Sequence, residues 1–305
     1  MRRAVSVSIV NATLAAIVER YARGEVSAQV ATMELLLASK DVGVLTRDLA
    51  MLSEAEASVV YREQVLELSR WVSEHEDGCV TITQMLRTGL DMPDGAPVAE
   101  VAIAQSRRLF DYSVRVSPES SVALYSLGSA ELLAQATAEV VAVFEAWRLL
   151  GPERDALEIG CGIGRILEPL AKRARRVVGI DIASNMLEVA RSRLLSVTNV
   201  ELRLTSGHDL RDFADDSFDL VYSVDAFPYL VRGGVELVAR HFHEVARVLR
   251  PGGDFVIFNY AYGRPRADDA REVRALGTAA NLSVVRSDVM PFELWNGIGF
   301  HLQKP

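Results

Sequence analysis

Between Ala156 and Ile166 the chain reads Ala-Leu-Glu-Ile-Gly-Cys-Gly-Ile-Gly-Arg-Ile, a short apolar run carrying Glu158 that breaks into Gly160, Gly162 and Gly164. Glycine lets the backbone turn sharply and lets a ligand lie close against the main chain. An apolar run, a glycine turn and a helix-like segment, in that order, suggest strand, turn and helix around a nucleotide-type ligand. A dinucleotide fingerprint spaces its glycines Gly-x-Gly-x-x-Gly, so that helix amides face a pyrophosphate. Here the third glycine comes one residue early, and Arg165 stands where that pattern has its last glycine. An ordinary tight connection could also use such a turn, so the rest of the chain must decide.

Arg176-Val-Val-Gly-Ile-Asp-Ile is a second β-branched run, ending in Asp181 about twenty residues beyond Gly160, where a ribose-binding carboxylate is expected. A carboxylate can accept both hydroxyls of a vicinal diol. Asp181 is equally placed to N-cap a helix over 184–195. Val200-Glu-Leu-Arg-Leu then runs into Gly207-His-Asp-Leu, and Asp216-Ser-Phe-Asp-Leu-Val-Tyr-Ser follows. A fifth block, Val248-Leu-Arg-Pro-Gly-Gly, precedes the apolar Phe255-Val-Ile-Phe. Pro251 is expected to end a helix and Gly252-Gly253 to form the turn after it.

In this order and spacing the five blocks resemble the class I S-adenosylmethionine-dependent methyltransferases, with a type 11/25-like catalytic domain, from about Ala130 to the C-terminus. The resemblance implies an α/β fold, a Rossmann-like, seven-stranded and mostly parallel sheet with an antiparallel last strand, preceded here by an all-helical N-terminal domain. It implies S-adenosylmethionine as methyl donor and S-adenosylhomocysteine as product. The residues matching the family's donor site are Glu158, Gly160, Cys161, Gly162, Gly164, Asp181, Ile182, Met186, Gly207, His208, Asp209, Leu210 and Ser223. Among them Asp181 would hold the ribose, and Asp209 the adenine amine with the Leu210 amide nearby. Cys161 is expected to pack rather than react.

Methyl transfer is an in-line displacement at an activated carbon, so much of the catalysis is positioning and desolvation. A general base is needed only when the acceptor is protonated. Open α/β sheets bind ligands at their strand ends. Asp225, Phe227 and Tyr229 follow the fourth run there, and Asn259, Tyr260 and Tyr262 follow the fifth. Asp225 or Tyr229 is the expected acceptor-facing group. A cap or turn role competes for Asp225, and core packing for Tyr229. His208 is expected beside the donor, His241 and His243 on a helix surface, and His301 in the last strand as a structural residue. The segment Ser223-Val-Asp-Ala-Phe-Pro-Tyr departs from the Asn-Pro-Pro-Tyr pattern of DNA-adenine and glutamine methyltransferases. A small-molecule acceptor, methylated at oxygen or nitrogen, is favoured. A protein or peptide acceptor, a non-catalytic donor-binding assembly protein and a dinucleotide dehydrogenase are the rivals.

These groups need a scaffold. The 305 residues are 50% hydrophobic and 24% charged, as in a globular protein of one large or two modest domains. A net charge of −8 disfavours a nucleic-acid partner. Two distant cysteines, Cys79 and Cys161, suggest neither a disulfide framework nor a metal site, and hence a reducing compartment. Met1-Arg-Arg and the apolar-leaning run behind it imitate a leader but lack a convincing cleavage site, and no segment has the length and apolarity of a membrane span, so the cytoplasm is expected.

The expected domains are 1–115, helical, and 116–305, catalytic. Stripes at helical spacing are Val10, Leu14, Ile17 and Tyr21, then Val26, Val30, Met33 and Leu37, then Tyr61, Val65, Leu68 and Val72. Gly24 marks a break, Ser53 with Glu56 reads as a capping box, and Gly78 precedes a shorter helix over 82–90. Asp91-Met-Pro-Asp-Gly-Ala-Pro reads as a linker, and 98–110 as a helix. One-sided faces must pack on each other, on the catalytic domain or in a homodimer. The expectation is a bundle whose last segment, 109–127, reaches the active site with Phe110, Tyr112 and Tyr125. Helices over 129–149 and 268–280, and strands over 283–286 and 299–303, complete the catalytic part.

Overall fold

The computed structural model describes residues 2–55, 59–88 and 98–305. Glu56, the side chain of Val10, residues 89 and 90 of the helix expected over 82–90 and the 91–97 linker lie outside the described residues. The chain forms two compact, interleaved units. One comprises Met1–Asp91, Ser113–Ala136 and Phe292–Asn296, and the other Met92–Tyr112, Thr137–Pro291 and Gly297–Pro305. Where the sequence suggests one cut after residue 115, the chain passes between the units several times.

The helical unit holds α1 (Arg2–Ala22), α2 (Ala28–Ser39), α3 (Val42–Ala55), α4 (Val59–Glu74) and α5 (Glu76–Thr88). It also holds the end of α6 (Ala99–Val116), α7 (Pro118–Val122) and the start of α8 (Ala130–Ala146). Leu14, Ile17, Val65, Leu68 and Val72 are buried as their spacing requires. The second stripe is out of phase. Ser27 caps α2 through its hydroxyl, which accepts from the Val30 amide, so the helix starts after Val26 and buries Val30, Ala31, Leu35 and Leu36 while Leu37 is exposed. Ser53 opens no helix; it lies in the last turn of α3, its hydroxyl donating to the Ala50 carbonyl. Gly78 lies inside α5 rather than before it, and a Cβ there would stand 1.7 Å from the Leu127 carbonyl oxygen. Close approach of two backbones, not a turn, requires that glycine.

The second unit is built on seven strands: β1 (Gly151–Ile159), β2 (Ala174–Asp181), β3 (Val200–Leu204), β4 (Phe218–Val224), β5 (Leu249–Phe258), β6 (Ser283–Val289) and β7 (Gly299–Gln303). Their order is β3-β2-β1-β4-β5-β7-β6, with β7 antiparallel to both its neighbours and every other pairing parallel. The remaining helices are α9 (Leu167–Ala171), α10 (Ser184–Arg193), α11 (Phe227–Arg232), α12 (Val235–Val248) and α13 (Arg266–Ala279). On one face Val221, Phe255 and Ile257 join Val238, Phe242 and Val245 of α12 and Val273 of α13 in the core. On the other, Phe144 of α8 packs edge-on to Tyr222 and stacks on Phe258.

Local expectations change in two places. Helix α12 ends at Val248, and Pro251, Gly252 and Gly253 lie within β5, where the register with β4 shifts. Inside α12, His243 is exposed but His241 is buried, its Nδ1 paired with the Leu237 carbonyl at 2.9 Å, so only the first of the two departs from the surface reading. His301 is structural in kind: Nε2 meets Asp254 at 2.8 Å, and the ring stacks on Trp147. Among the described residues, no helix is long and apolar enough to cross a membrane, and no His, Cys, Asp and Glu cluster could hold a metal ion.

Candidate active site

Strand order reverses direction between β1 and β4, the crevice where open α/β sheets receive ligands. The glycine turn enters that crevice directly after Ile159. Gly160 and Cys161 both donate their amides to the Ile180 carbonyl, tying the turn to β2, and Gly164 donates to Cys161. Gly160 has φ +74°, and a Cβ on it would stand 2.3 Å from the Ala226 Cβ beyond β4. The turn therefore lies directly against the loop that carries Asp225. Cys161 is buried and its thiol is pushed far up by burial, which suits packing and not nucleophilic chemistry.

Asp181 ends β2 and braces this turn. Its Oδ2 accepts from the Gly162 amide at 2.9 Å and its Oδ1 from the Ala183 amide at 2.8 Å. It does not cap α10 as a helix cap: Ala183 holds that position with no side-chain bond, and Asp111 of α6 accepts from the Asn185 amide at 2.9 Å. Burial raises the Asp181 carboxyl to about 6, while three backbone hydrogen bonds oppose the rise. Each oxygen keeps acceptor capacity for a ligand hydroxyl.

Glu158 lies beneath the turn, fully buried, with the Tyr222 hydroxyl donating to its Oε2 at 3.0 Å. Burial lifts it to about 8 from an ordinary 4.5, partly offset by Tyr222 and by the charge of Arg165. A carboxyl raised on folding contributes stability fully below its unfolded value, and loses it as pH climbs through the folded value. Melting of ligand-free protein between pH 5 and 9 is therefore expected to show wild type losing more stability than Glu158→Gln, by on the order of 2 kcal/mol. Parallel curves would remove Glu158 as the cause.

The loop after β3 carries Gly207, His208, Asp209 and Leu210. Asp209 is buried and drawn below its ordinary range by Arg211, which donates Nε to both its oxygens at 2.9 Å. Arg211 is largely exposed, so solvent screens this pair. The Leu210 amide, expected near adenine, donates to Glu244 Oε2 at 3.2 Å. His208 is half-buried, Met186 is buried in α10, and Ile182 follows β2. Ser223 is fully buried, and its hydroxyl finds no partner among the described residues.

Beyond β4, Asp225 takes a left-handed backbone, φ +59°. Its Oδ1 accepts from Asn259 Nδ2 at 2.6 Å and from the Tyr262 hydroxyl at 2.8 Å. Its Oδ2 is buried and has no partner among the described residues. Asn259 is itself left-handed at φ +63°, and its Oδ1 accepts from the Ile298 amide. Both are residue types that take the left-handed backbone more readily than most, and together they hold one Asp225 oxygen in place while the other is left without a partner among the described residues. Burial is the largest influence on Asp225 and raises it, against Asn259, Arg165 and Tyr262. Tyr229, in α11, meets Tyr262 edge-on at 6.4 Å, and burial pushes its phenol up to about 12.

Helix α6 spans the loop ends of this unit. Ile103 abuts Gly207, Ala102 abuts Gly233, and Arg107 Nε donates to the Ile182 carbonyl at 3.0 Å. Phe110 packs edge-on to Tyr229, with ring centres 4.8 Å apart. The covering segment is thus 102–111, earlier than the 109–127 expected. Tyr112 is exposed, and Tyr125 stacks on Trp295 within the helical unit. Sequence reasoning missed Asp111, Arg107 and Arg165. Arg165 is buried and donates to Thr137 Oγ1 at 3.1 Å; the sole signal for it was its departure from the dinucleotide pattern.

Residues 157–257 match a family model described as a methyltransferase domain. The chain is 36% identical over 110 residues to a demethylmenaquinone methyltransferase of Tropheryma whipplei, covering 36% of this chain and 43% of that one. It is 35% identical over 144 residues to a fatty-acid O-methyltransferase of Mycolicibacterium smegmatis, covering 47% and 48%. The matches span less than half the length of either relative. Among solved structures, Haemonchus contortus phosphoethanolamine N-methyltransferase 1, in complex with phosphoethanolamine and S-adenosylhomocysteine, is 18% identical. It covers 70% of this chain and 51% of that one with a TM-score of 0.54, a likeness of fold.

Proposed function

The chain carries a class I S-adenosylmethionine-dependent methyltransferase domain, and from that premise we propose that it methylates a hydroxyl oxygen of a small molecule, with Asp225 as the general base. The observation that carries this reading is the Asp225 carboxylate, fixed through Oδ1 and bare at a buried Oδ2, beside the glycine turn. The relatives named for demethylmenaquinone and for fatty-acid O-methylation support an acceptor of small-molecule size.

The donor site fits its ligand. Asp181 has acceptor capacity for the ribose diol, Asp209 would exchange part of its pairing with Arg211 for the adenine amine, and the glycine turn presents main chain at the end of β1. Bound there, S-adenosylmethionine supplies an electrophilic methyl carbon whose bond to sulfur breaks, the electron pair staying on sulfur, as the acceptor oxygen bonds to that carbon. Asp225 Oδ2 takes the proton from that oxygen and later yields it to water. Its raised affinity for protons, caused by burial, matches the group to this task. Tyr229 and Phe110, meeting edge-on, would line the acceptor side of the transfer, with Tyr262, 55% exposed, at its solvent edge.

Calorimetry tests the reading. S-adenosylhomocysteine is expected to bind and NAD is not. Asp181→Ala should weaken the first about 10- to 100-fold, the loss of charge-assisted hydrogen bonds to a diol. Binding of NAD in preference, or an unchanged affinity in the variant, would refute the donor assignment.

A further inference from the structure

Resting on the methyltransferase reading, one more group at the same site has no task so far. Arg232 closes α11, is half-buried, and its Nη2 is buried with no hydrogen-bond partner among the described residues. A guanidinium keeps its charge inside a protein, so it cannot escape this environment by losing a proton. A buried N–H left unpaired, and charged, is costly to the folded state. A ligand that accepted from it would relieve that cost.

Its surroundings define that ligand. Tyr229 precedes Arg232 by three residues, so the two side chains share a face of the helix. Tyr262 joins the carboxylate to this face: its hydroxyl donates to Asp225 Oδ1 at 2.8 Å and its ring meets Tyr229, three residues before Arg232 in α11. Phe110 of α6 and Tyr262 both meet Tyr229 edge-on. Gly233, next to Arg232, lies under Ala102 of the same covering helix. The neighbourhood therefore offers an apolar, aromatic wall, one proton acceptor and one unpaired planar cation. A phosphate dianion calls for several donors, whereas a single guanidinium fork matches a carboxylate in charge and shape.

We propose that the acceptor is a hydroxy acid of apolar or aromatic body, whose carboxylate pairs with Arg232 while its hydroxyl is presented to Asp225. The carboxylate is then the handle and the hydroxyl the reacting group, and Arg232 sets which molecules are accepted without touching the methyl donor.

Matched pairs of probes test this in the presence of S-adenosylhomocysteine: 4-hydroxybenzoate against 4-hydroxybenzamide, and 3-hydroxydecanoate against its primary amide. Calorimetry on the full chain is expected to show at least one acid bound about tenfold or more tighter than its amide, the value of a charge-assisted pair. Arg232→Gln should erase the preference and Arg232→Lys should keep part of it, with S-adenosylhomocysteine affinity unchanged in both. Equal binding of acid and amide, no binding of either acid, or a preference that survives Arg232→Gln each overturns the proposal. The wild-type comparison stands even where a variant fails to fold. Failure of wild type to bind S-adenosylhomocysteine strikes the methyltransferase reading instead, since the acid–amide comparison can still be run without it.

Discussion

Gly160→Ala is expected to weaken S-adenosylhomocysteine binding by roughly 10²- to 10³-fold while the helical unit still folds. The residue sits at φ +74°, where an L side chain costs about 1–2 kcal/mol. The added methyl would also stand 2.3 Å from the Ala226 Cβ, far inside contact distance. Something must shift, and what shifts is the spacing of two loops, one after β1 and one after β4. Overpacking of this kind costs a further 1–3 kcal/mol or so, and together the two penalties weaken binding by roughly 10²- to 10³-fold. A second substitution separates them. Ala226→Gly in the Gly160→Ala background removes the clash but not the backbone penalty, so it should recover part of the affinity. Wild-type affinity in the single variant would show that the turn is not the donor's seat; no recovery in the double variant would show that the clash is not the cause.

The second large effect is at Asp225. Asparagine tolerates the left-handed backbone of this position and can keep Oδ1 in place for Asn259 and Tyr262. What it loses is the bare oxygen and its charge. For a hydroxyl acceptor, Asp225→Asn should lower kcat by about 10²- to 10⁴-fold, the range for a positioned base, with donor affinity changed by less than about threefold. The pH profile supplies an independent sign. A carboxylate base must be ionised, so wild-type kcat should fall as pH drops through the Asp225 value, which burial holds above the ordinary carboxylate range. The residual activity of Asp225→Asn should not show that limb. Activity within threefold of wild type would leave Asp225 a loop anchor and nothing more.

Features that depend on neighbours in sequence were the legible ones. The alternation of apolar runs with Gly160–Gly164, Asp181 and the Ser217–Phe218–Asp219 block marked β1, β2 and β4, because a strand end and the turn after it are specified by adjacent residues, whereas the switch point between β1 and β4 follows from strand order. Asp225 and Tyr229 could be nominated on the same ground, by following the fourth strand. Less legible was anything made by two distant segments. That Asp111 satisfies the first turn of α10 is a bond across 74 positions, and nothing about Asp111 in its own helix announces it. His241 and His243 look alike in sequence, yet only one faces the core, since helical phase is decided by what packs against α12. Gly78 read as a helix breaker because its true reason, the Leu127 backbone passing alongside, lies 49 positions away. Arg232 was invisible for a different reason: what marks it is a missing partner, and absence has no motif.

The covering segment of α6 has a consequence for descent. It belongs to the sheet-bearing unit, yet it is encoded ahead of residues 113–136, which belong to the helical one. No single crossover in the gene can exchange the helical unit alone. A recombination placed after residue 115 would carry the 102–111 segment along with the helices and leave the glycine turn behind. New combinations would thus take the glycine turn from one parent and the 102–111 segment from the other.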